Sequence, residues 1–187
     1  MSVIVIFHSV LGLRSIEHST AAWLRSSGHA VLTPDLFAGR TAPTPSDGFL
    51  IMDDIGWDAI CDRARAVLAT VPSTAVLMGF SMGAGVISSI WPERRDAAAI
   101  ILVHGLADIP PDLNPNTRVQ AHVAHPDPFV HASQLEGWMR ADEAAVRLFR
   151  YPGLQHFFTD SSLDEFDGQG ANQVWDRLAR LLAALEP

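Results

Sequence analysis

Three residues of this 187-residue chain have side chains and surroundings that could together perform acyl chemistry: Ser81, Asp127 and His156. Ser81 is the centre of GFSMG, with the apolar run AVLM before it and Ala84, Val86, Ile87 and Ile90 at helical spacing behind it. In a strand-to-helix turn of this form a serine is held in a strained conformation at the strand's carboxyl end. Gly79 and Gly83 remove side chains where strand and helix crowd together. The turn exposes the hydroxyl and aims the backbone N–H of Met82 at the oxygen of a bound carbonyl. The pentapeptide alone is weak, since G-x-S-x-G arises by chance in roughly one chain in twenty of this length. Its flanks carry the inference: a buried strand precedes it, a helix follows, and Pro92 stops that helix.

A serine needs a base, and in a parallel α/β sheet only residues just past strand ends can reach it. Asp127 follows RVQAHVA in HPDPFV, where Pro126 and Pro128 stiffen the loop, and His156 follows AVRLFRY in YPGLQHFF. The chain order Ser81, Asp127, His156 is the nucleophile, acid, base order of an α/β-hydrolase. His156 would take the serine proton and Asp127 would hold the imidazole tautomer. Taken singly, Asp127 also reads as a turn aspartate capping a helix at 131, and His156 as a loop histidine. Asp108, in HGLADIPP, competes for the acid role from one strand earlier. A metal site is the rival use of His104, His122, His125 and Asp127. His122 and His125 face opposite sides of their strand, and no HExxH or cysteine pair is present, so no metal is expected.

The elements that must position these residues follow from hydrophobic periodicity. VIVIF at 3–7 reads as a buried strand running into the turn HSVLG. A helix follows from about Ser15, with Ile16, Trp23 and Leu24 on one face and Gly28 at its end. HAVLT is a strand, residues 34–48 form a loop rich in proline and glycine, and residues 52–70 read as one helix. Beyond the elbow come the strands AAAIILVHG and RVQAHVAH, then a helix around 131–143 burying Leu135, Trp138 and Met139. AVRLFRY is a late strand near a sheet edge. In the last helix Val174, Leu178, Leu181, Leu182 and Leu185 form a core-facing stripe. This alternation predicts a single α/β domain over 1–187: a mainly parallel sheet of about six strands with helices on both faces, binding its ligand beyond the strand carboxyl ends.

Composition narrows the classes further. A net charge of −8 and a pI near 5.3 disfavour nucleic acid as a partner. MSVIVIFH has neither the basic region nor the cleavage site of a signal peptide, so a cytoplasmic location is expected, and no apolar run reaches the ~20 residues that cross a bilayer. The single cysteine, Cys61, excludes an intramolecular disulfide. It shares a helical face with Ile60, Ala64, Val67 and Leu68 and reads as a packed thiol.

Over nearly its whole length the chain resembles the dienelactone hydrolase family of small α/β-hydrolases. The match comprises VIVIFHSVLG, the PDLF segment with its Arg40-containing loop, GFSMGAG, HPDPFV, and YPGLQHFFTD with the final helix. The resemblance implies that Ser81, Asp127 and His156 form the triad and that the Val10 N–H is the second oxyanion donor, beside that of Met82. Two positions depart from the family's best-known members. Their nucleophile is a cysteine, with an acidic residue just before the oxyanion-hole residue, where this chain has Ser81 and Ser9. Their substrate-carboxylate arginine, four residues after the histidine, is replaced by Asp160.

The expected activity is hydrolysis of small carboxylic esters or lactones through an acyl-enzyme, without a cofactor. An acyltransferase or perhydrolase using the same triad is the alternative within this chemistry, and a non-catalytic binding protein on a hydrolase scaffold is the alternative outside it. The stretch from His104 to Thr117 is too short to fold as a cap domain, which leaves the 34–48 loop to roof the site. Asp160 would repel an anionic substrate, and Arg40 is the one nearby cation expected to oppose it.

Overall fold

Each strand is separated from the next by a helix or a long connection, so neighbouring strands pair in parallel. A computed structural model of the chain describes residues 1–141 and 145–185. Its strands are β1 (Val3–Phe7), β2 (Ala30–Leu32), β3 (Val76–Phe80), β4 (Ala99–Val103), β5 (Arg118–His125) and β6 (Val146–Pro152). They lie side by side as β2-β1-β3-β4-β5-β6, every pair parallel. The chain runs outward from β1 to β2, crosses back to β3 and then proceeds steadily to β6. That reversal opens a crevice at the carboxyl ends of β1 and β3, where such sheets receive ligands.

The helices are α1 (Ser15–Ser26), α2 (Pro45–Ile55), α3 (Trp57–Leu68), α4 (Met82–Ile90), α5 (Ala132–Arg140) and α6 (Gly168–Ala183). VIVIF is apolar throughout because both its faces are covered. Val5 and Phe7 join Leu77, Ile100 and Leu102 in a core closed by α3, α4 and α5. Ile4 and Ile6 join Val76, Met78 and Ile101 in a second core closed by α1 and α6. Leu77 is fully buried, and truncating such a leucine to alanine costs about 2–5 kcal/mol. In α6, Val174, Leu178 and Leu182 are buried as the stripe predicts, Leu181 is half-buried, and Asp167 caps the helix by accepting the Gly170 N–H at 2.7 Å. Pro92 sits in a short 3-10 turn, Trp91–Glu93, directly after α4.

Two expectations need correcting. The single helix expected over 52–70 is two helices, and the end of the 34–48 loop belongs to the first of them. Thr44 caps α2 by accepting the Asp47 N–H, and Pro45 starts it with a preset φ. Gly56, at φ 86°, breaks the run before α3 in a conformation that an L side chain disfavours. Met139 is 59 % exposed rather than packed. In α5 Trp138 alone is buried, its indole N–H donating to the Ala107 carbonyl at 2.7 Å, and Met139, one residue on, points to the solvent side. The last residues of the helix expected over 131–143 lie outside the described residues. No helix or strand interrupts the connection from β4 to β5, so there is no cap domain. Among the described residues no helix is long and apolar enough to cross a membrane.

Candidate active site

Ser81 joins β3 to α4 at φ 48° and ψ −106°, a left-handed conformation that costs a non-glycine residue about 1–3 kcal/mol. The surroundings hold it there. Its N–H donates to the Val103 carbonyl at 2.8 Å, and its carbonyl accepts the Ala84 N–H at 2.8 Å. A Cβ on Gly83 would collide with the Phe7 carbonyl, and one on Gly79 with the backbone of Gly83. Both glycines let α4 press onto β1 and β3, which keeps the turn tight enough to project the serine.

The residues chosen for their order along the chain meet in space. Ser81 Oγ lies 2.8 Å from His156 Nε2, and His156 Nδ1 lies 2.9 and 2.8 Å from the two carboxylate oxygens of Asp127. The Asp127 side chain is 1 % exposed although its backbone lies on a surface loop. One of its oxygens also accepts the Phe129 N–H at 2.9 Å, so the turn aspartate and the partner of the histidine are the same residue. Asp108 does not meet the histidine: its carboxylate accepts from the amide of Gln134 in α5 at 2.9 Å. Phe129 and Phe157 pack their rings on His156 with centroids 4.6 and 4.5 Å away.

His104, seen in the sequence only as a candidate metal ligand, has a different place. It is buried at the end of β4, 5.8 Å from the His156 ring, with Nε2 3.0 Å from Thr159 Oγ1. Burial, and then the neighbouring His156, hold it well below the usual histidine range and so keep it neutral. Among the described residues no three His, Cys, Asp or Glu side chains are grouped as metal ligands.

The turn after β1 is built to present one amide. Gly12 N–H donates to the Ser9 carbonyl, Leu11 N–H to Ser9 Oγ, and Ser9 N–H to Glu17 Oε1. Buried His8, held neutral chiefly by desolvation, donates from Nδ1 to the Ser9 carbonyl at 2.7 Å and accepts the Leu36 N–H at Nε2. These bonds leave the Val10 N–H without a partner among the described residues. The Met82 N–H is likewise unpartnered there, as expected for the first residue of a helix. Gly48 allows α2 to approach this turn, because a Cβ there would strike the Val10 carbonyl.

Ser81, Val10 and Met82 open into a cleft of about 490 Å³ whose apolar walls include Phe49, Met52, Trp57, Leu106 and Phe129. The roof is α2 and the start of α3, not the 34–48 loop; Phe49, Met52 and Trp57 went unassigned because their apolar pattern reads equally as core. Neither expected substrate residue lines the cleft. Arg40 is ion-paired with Asp54 of α2 on the surface. Asp160 is buried, accepts from the Ser162 N–H and hydroxyl, and lies 3.8 Å from Arg14. The side chain turns under α1 because these partners satisfy it there, so its charge is not presented to a substrate.

The sequence profile of the dienelactone hydrolase family matches residues 1–185. The chain belongs to the dienelactone hydrolase family. It is an ester and lactone hydrolase by that membership, and solved structures share its fold. The structure named m3DLH superposes with a TM-score of 0.80 at 21% identity, covering 98% of this chain and 86% of that one. A dienelactone hydrolase-like promiscuous phosphotriesterase from metagenomic libraries gives 0.76 at 20% identity, with 99% and 87% covered. A dienelactone hydrolase homologue from Klebsiella pneumoniae gives 0.73 at 13% identity, with 98% and 87% covered. No curated protein matches the chain.

Proposed function

We propose that this dienelactone hydrolase family member cleaves small neutral carboxylic esters or lactones through an acyl-enzyme on Ser81. The observation that carries the reading is the continuous hydrogen-bonded line from Ser81 Oγ through His156 to Asp127, at 2.8 Å and 2.8 Å. Ser81 Oγ attacks the ester carbonyl carbon while its proton passes to His156 Nε2. The oxyanion is received by the Val10 and Met82 N–H groups, which need no reorganisation to do so. Collapse breaks the C–O bond, and the imidazolium returns its proton to the leaving alkoxide. Water then attacks the acyl-serine, losing a proton to His156; collapse breaks the bond to Ser81 Oγ, which takes that proton back as the carboxylic acid leaves. Asp127 holds the Nδ1 proton in place and stabilises the imidazolium.

The size and charge of the substrate follow from the cleft. A volume of about 490 Å³ suits a small molecule, and no arginine or lysine is among the residues lining it. A free carboxylate would be desolvated there with no arginine or lysine to pair with. Reaction with a fluorophosphonate probe followed by mapping of the modified residue tests the proposal. Modification of Ser81, abolished by Ser81→Ala, is the expected result; an unlabelled Ser81 in active protein would refute it.

A further inference from the structure

All thirteen basic residues of this acidic chain are arginines, and four of them line one cleft far from Ser81. Strand alternation places Arg118, Gln120 and His122 of β5 on the same face as Arg147, Phe149 and Tyr151 of β6. The register pairs Gln120 with Arg147 and His122 with Phe149. This face lies under α6 and would ordinarily be apolar, yet Gln120 and His122 are buried in it. From α6, Arg177 and Arg180 complete the walls of a cleft of about 470 Å³ with Arg118, Arg147, Gln120 and Phe149. Arg118 begins β5 and Asp127 lies past its end, so the two clefts are separated by roughly 25 Å of strand.

The arginines here differ from five others on the molecule. Arg14, Arg40, Arg65, Arg95 and Arg140 each lie beside a carboxylate. Arg118, Arg147 and Arg180 have no carboxylate partner among the described residues. Arg177 is fixed from behind. It donates to Tyr151 Oη at 2.8 Å and lies 4.2 Å over the Phe149 ring. Tyr151 Oη lies 2.7 Å from His122 Nδ1, whose Nε2 meets the Gln120 amide. Burial, and then Arg177, push His122 down to about 3, so the chain behind Arg177 adds no second charge and the guanidinium is the cation it presents.

We propose that this cleft binds a small polyanion carrying two or more phosphate or carboxylate groups, at a site distinct from the hydrolase cleft. Unneutralised guanidinium groups converging on one concavity repel one another until an anion joins them. Their planar forks suit the oxygens of phosphate and carboxylate. The cavity is large enough for a small organic ligand.

Calorimetric titration with sodium triphosphate and, separately, with citrate at low ionic strength tests the site. The expected result is saturable one-to-one binding of at least one probe, weakened by added salt. Tighter triphosphate assigns phosphate chemistry, and tighter citrate carboxylate chemistry. Arg147→Ser with Arg180→Ser should weaken binding by about tenfold or more. A control carrying Arg95→Ser and Arg140→Ser, with the same loss of charge, should bind as the wild type does. Hydrolysis of 4-nitrophenyl acetate should persist in the Arg147/Arg180 variant, which reports its folding. If that variant does not fold, Arg118→Ser, exposed at the start of β5, gives the same reading. Absence of saturable binding, or equal weakening in the control, overturns the proposal. Self-association in sedimentation that is lost on Arg147→Ser with Arg180→Ser, without probe binding, also overturns it and makes the cleft an interface for the acidic surface of a second copy.

Discussion

Glu17 Oε1 accepts the backbone N–H of Ser9 at 3.3 Å and so ties α1 to the residue immediately before Val10. Its other oxygen accepts the Arg14 N–H at 2.9 Å. Desolvation outweighs these two bonds and, with a smaller contribution from the neighbouring carboxylate Asp160, pushes the Glu17 carboxyl up to about 7. A raised carboxyl pKa means that the folded state holds the proton more tightly than the unfolded chain. Stability contributed by the protonated group is therefore present below about 4.5 and is lost as pH rises from there through about 7. Glu17→Gln removes the titration, so its stability relative to the wild type should improve with pH across that window. Urea unfolding of both proteins at pH 5 and pH 8 measures this, and parallel pH dependences would disprove it.

Asp127→Asn should reduce kcat for 4-nitrophenyl acetate by about 10³-fold or more, because an amide facing Nδ1 favours the wrong tautomer of His156. Asp108→Asn should leave kcat within about twofold, since its carboxylate contacts Gln134 and not the histidine. Steady-state kinetics of the two variants decide between them, and the reverse ranking would move the acid to Asp108.

A small neutral aryl ester should be hydrolysed with higher kcat/KM than a dienelactone of similar size, because the cleft offers the carboxylate no arginine. Asp160→Asn should not change that ratio, since Asp160 is turned toward Arg14 and Ser162. A shift of the ratio toward the anion in that variant would place the Asp160 charge within reach of the substrate after all.

Trp57 forms one wall of the cleft, its indole N–H donating to Ser89 Oγ at 3.2 Å. Trp57→Ala should raise KM for aryl esters by about tenfold while kcat changes less, as expected when uniform binding is removed. A fall in kcat alone would mean that the ring acts on the transition state.

Cys61 is buried in α3, its thiol pushed up by desolvation, and it does not line the cleft. Cys61→Ala should preserve turnover within about twofold and lower stability by about 1 kcal/mol. Loss of activity in a folded variant would show that Ser81 is not the nucleophile.

The order of strands and helices was legible in the sequence because burial on both faces makes β1, β3 and β4 apolar throughout, while α6 carries its apolar residues on one side. The meeting of Ser81, Asp127 and His156 was legible for a related reason: parallel topology sends every strand's carboxyl end to one edge, so residues just past those ends converge. The break at Gly56 was hidden because the residues on either side share a helical pattern, and only a positive φ separates α2 from α3. Where Asp160 and Arg40 point was decided by tertiary structure alone. A charged side chain close to the site in sequence turns toward whichever partner best satisfies it, and those partners, Arg14, Ser162 and Asp54, come from other turns of the chain. The arginine cleft under α6 depended in the same way on the packing of a helix over two strands, since no local pattern brings Arg118, Arg147, Arg177 and Arg180 to one place.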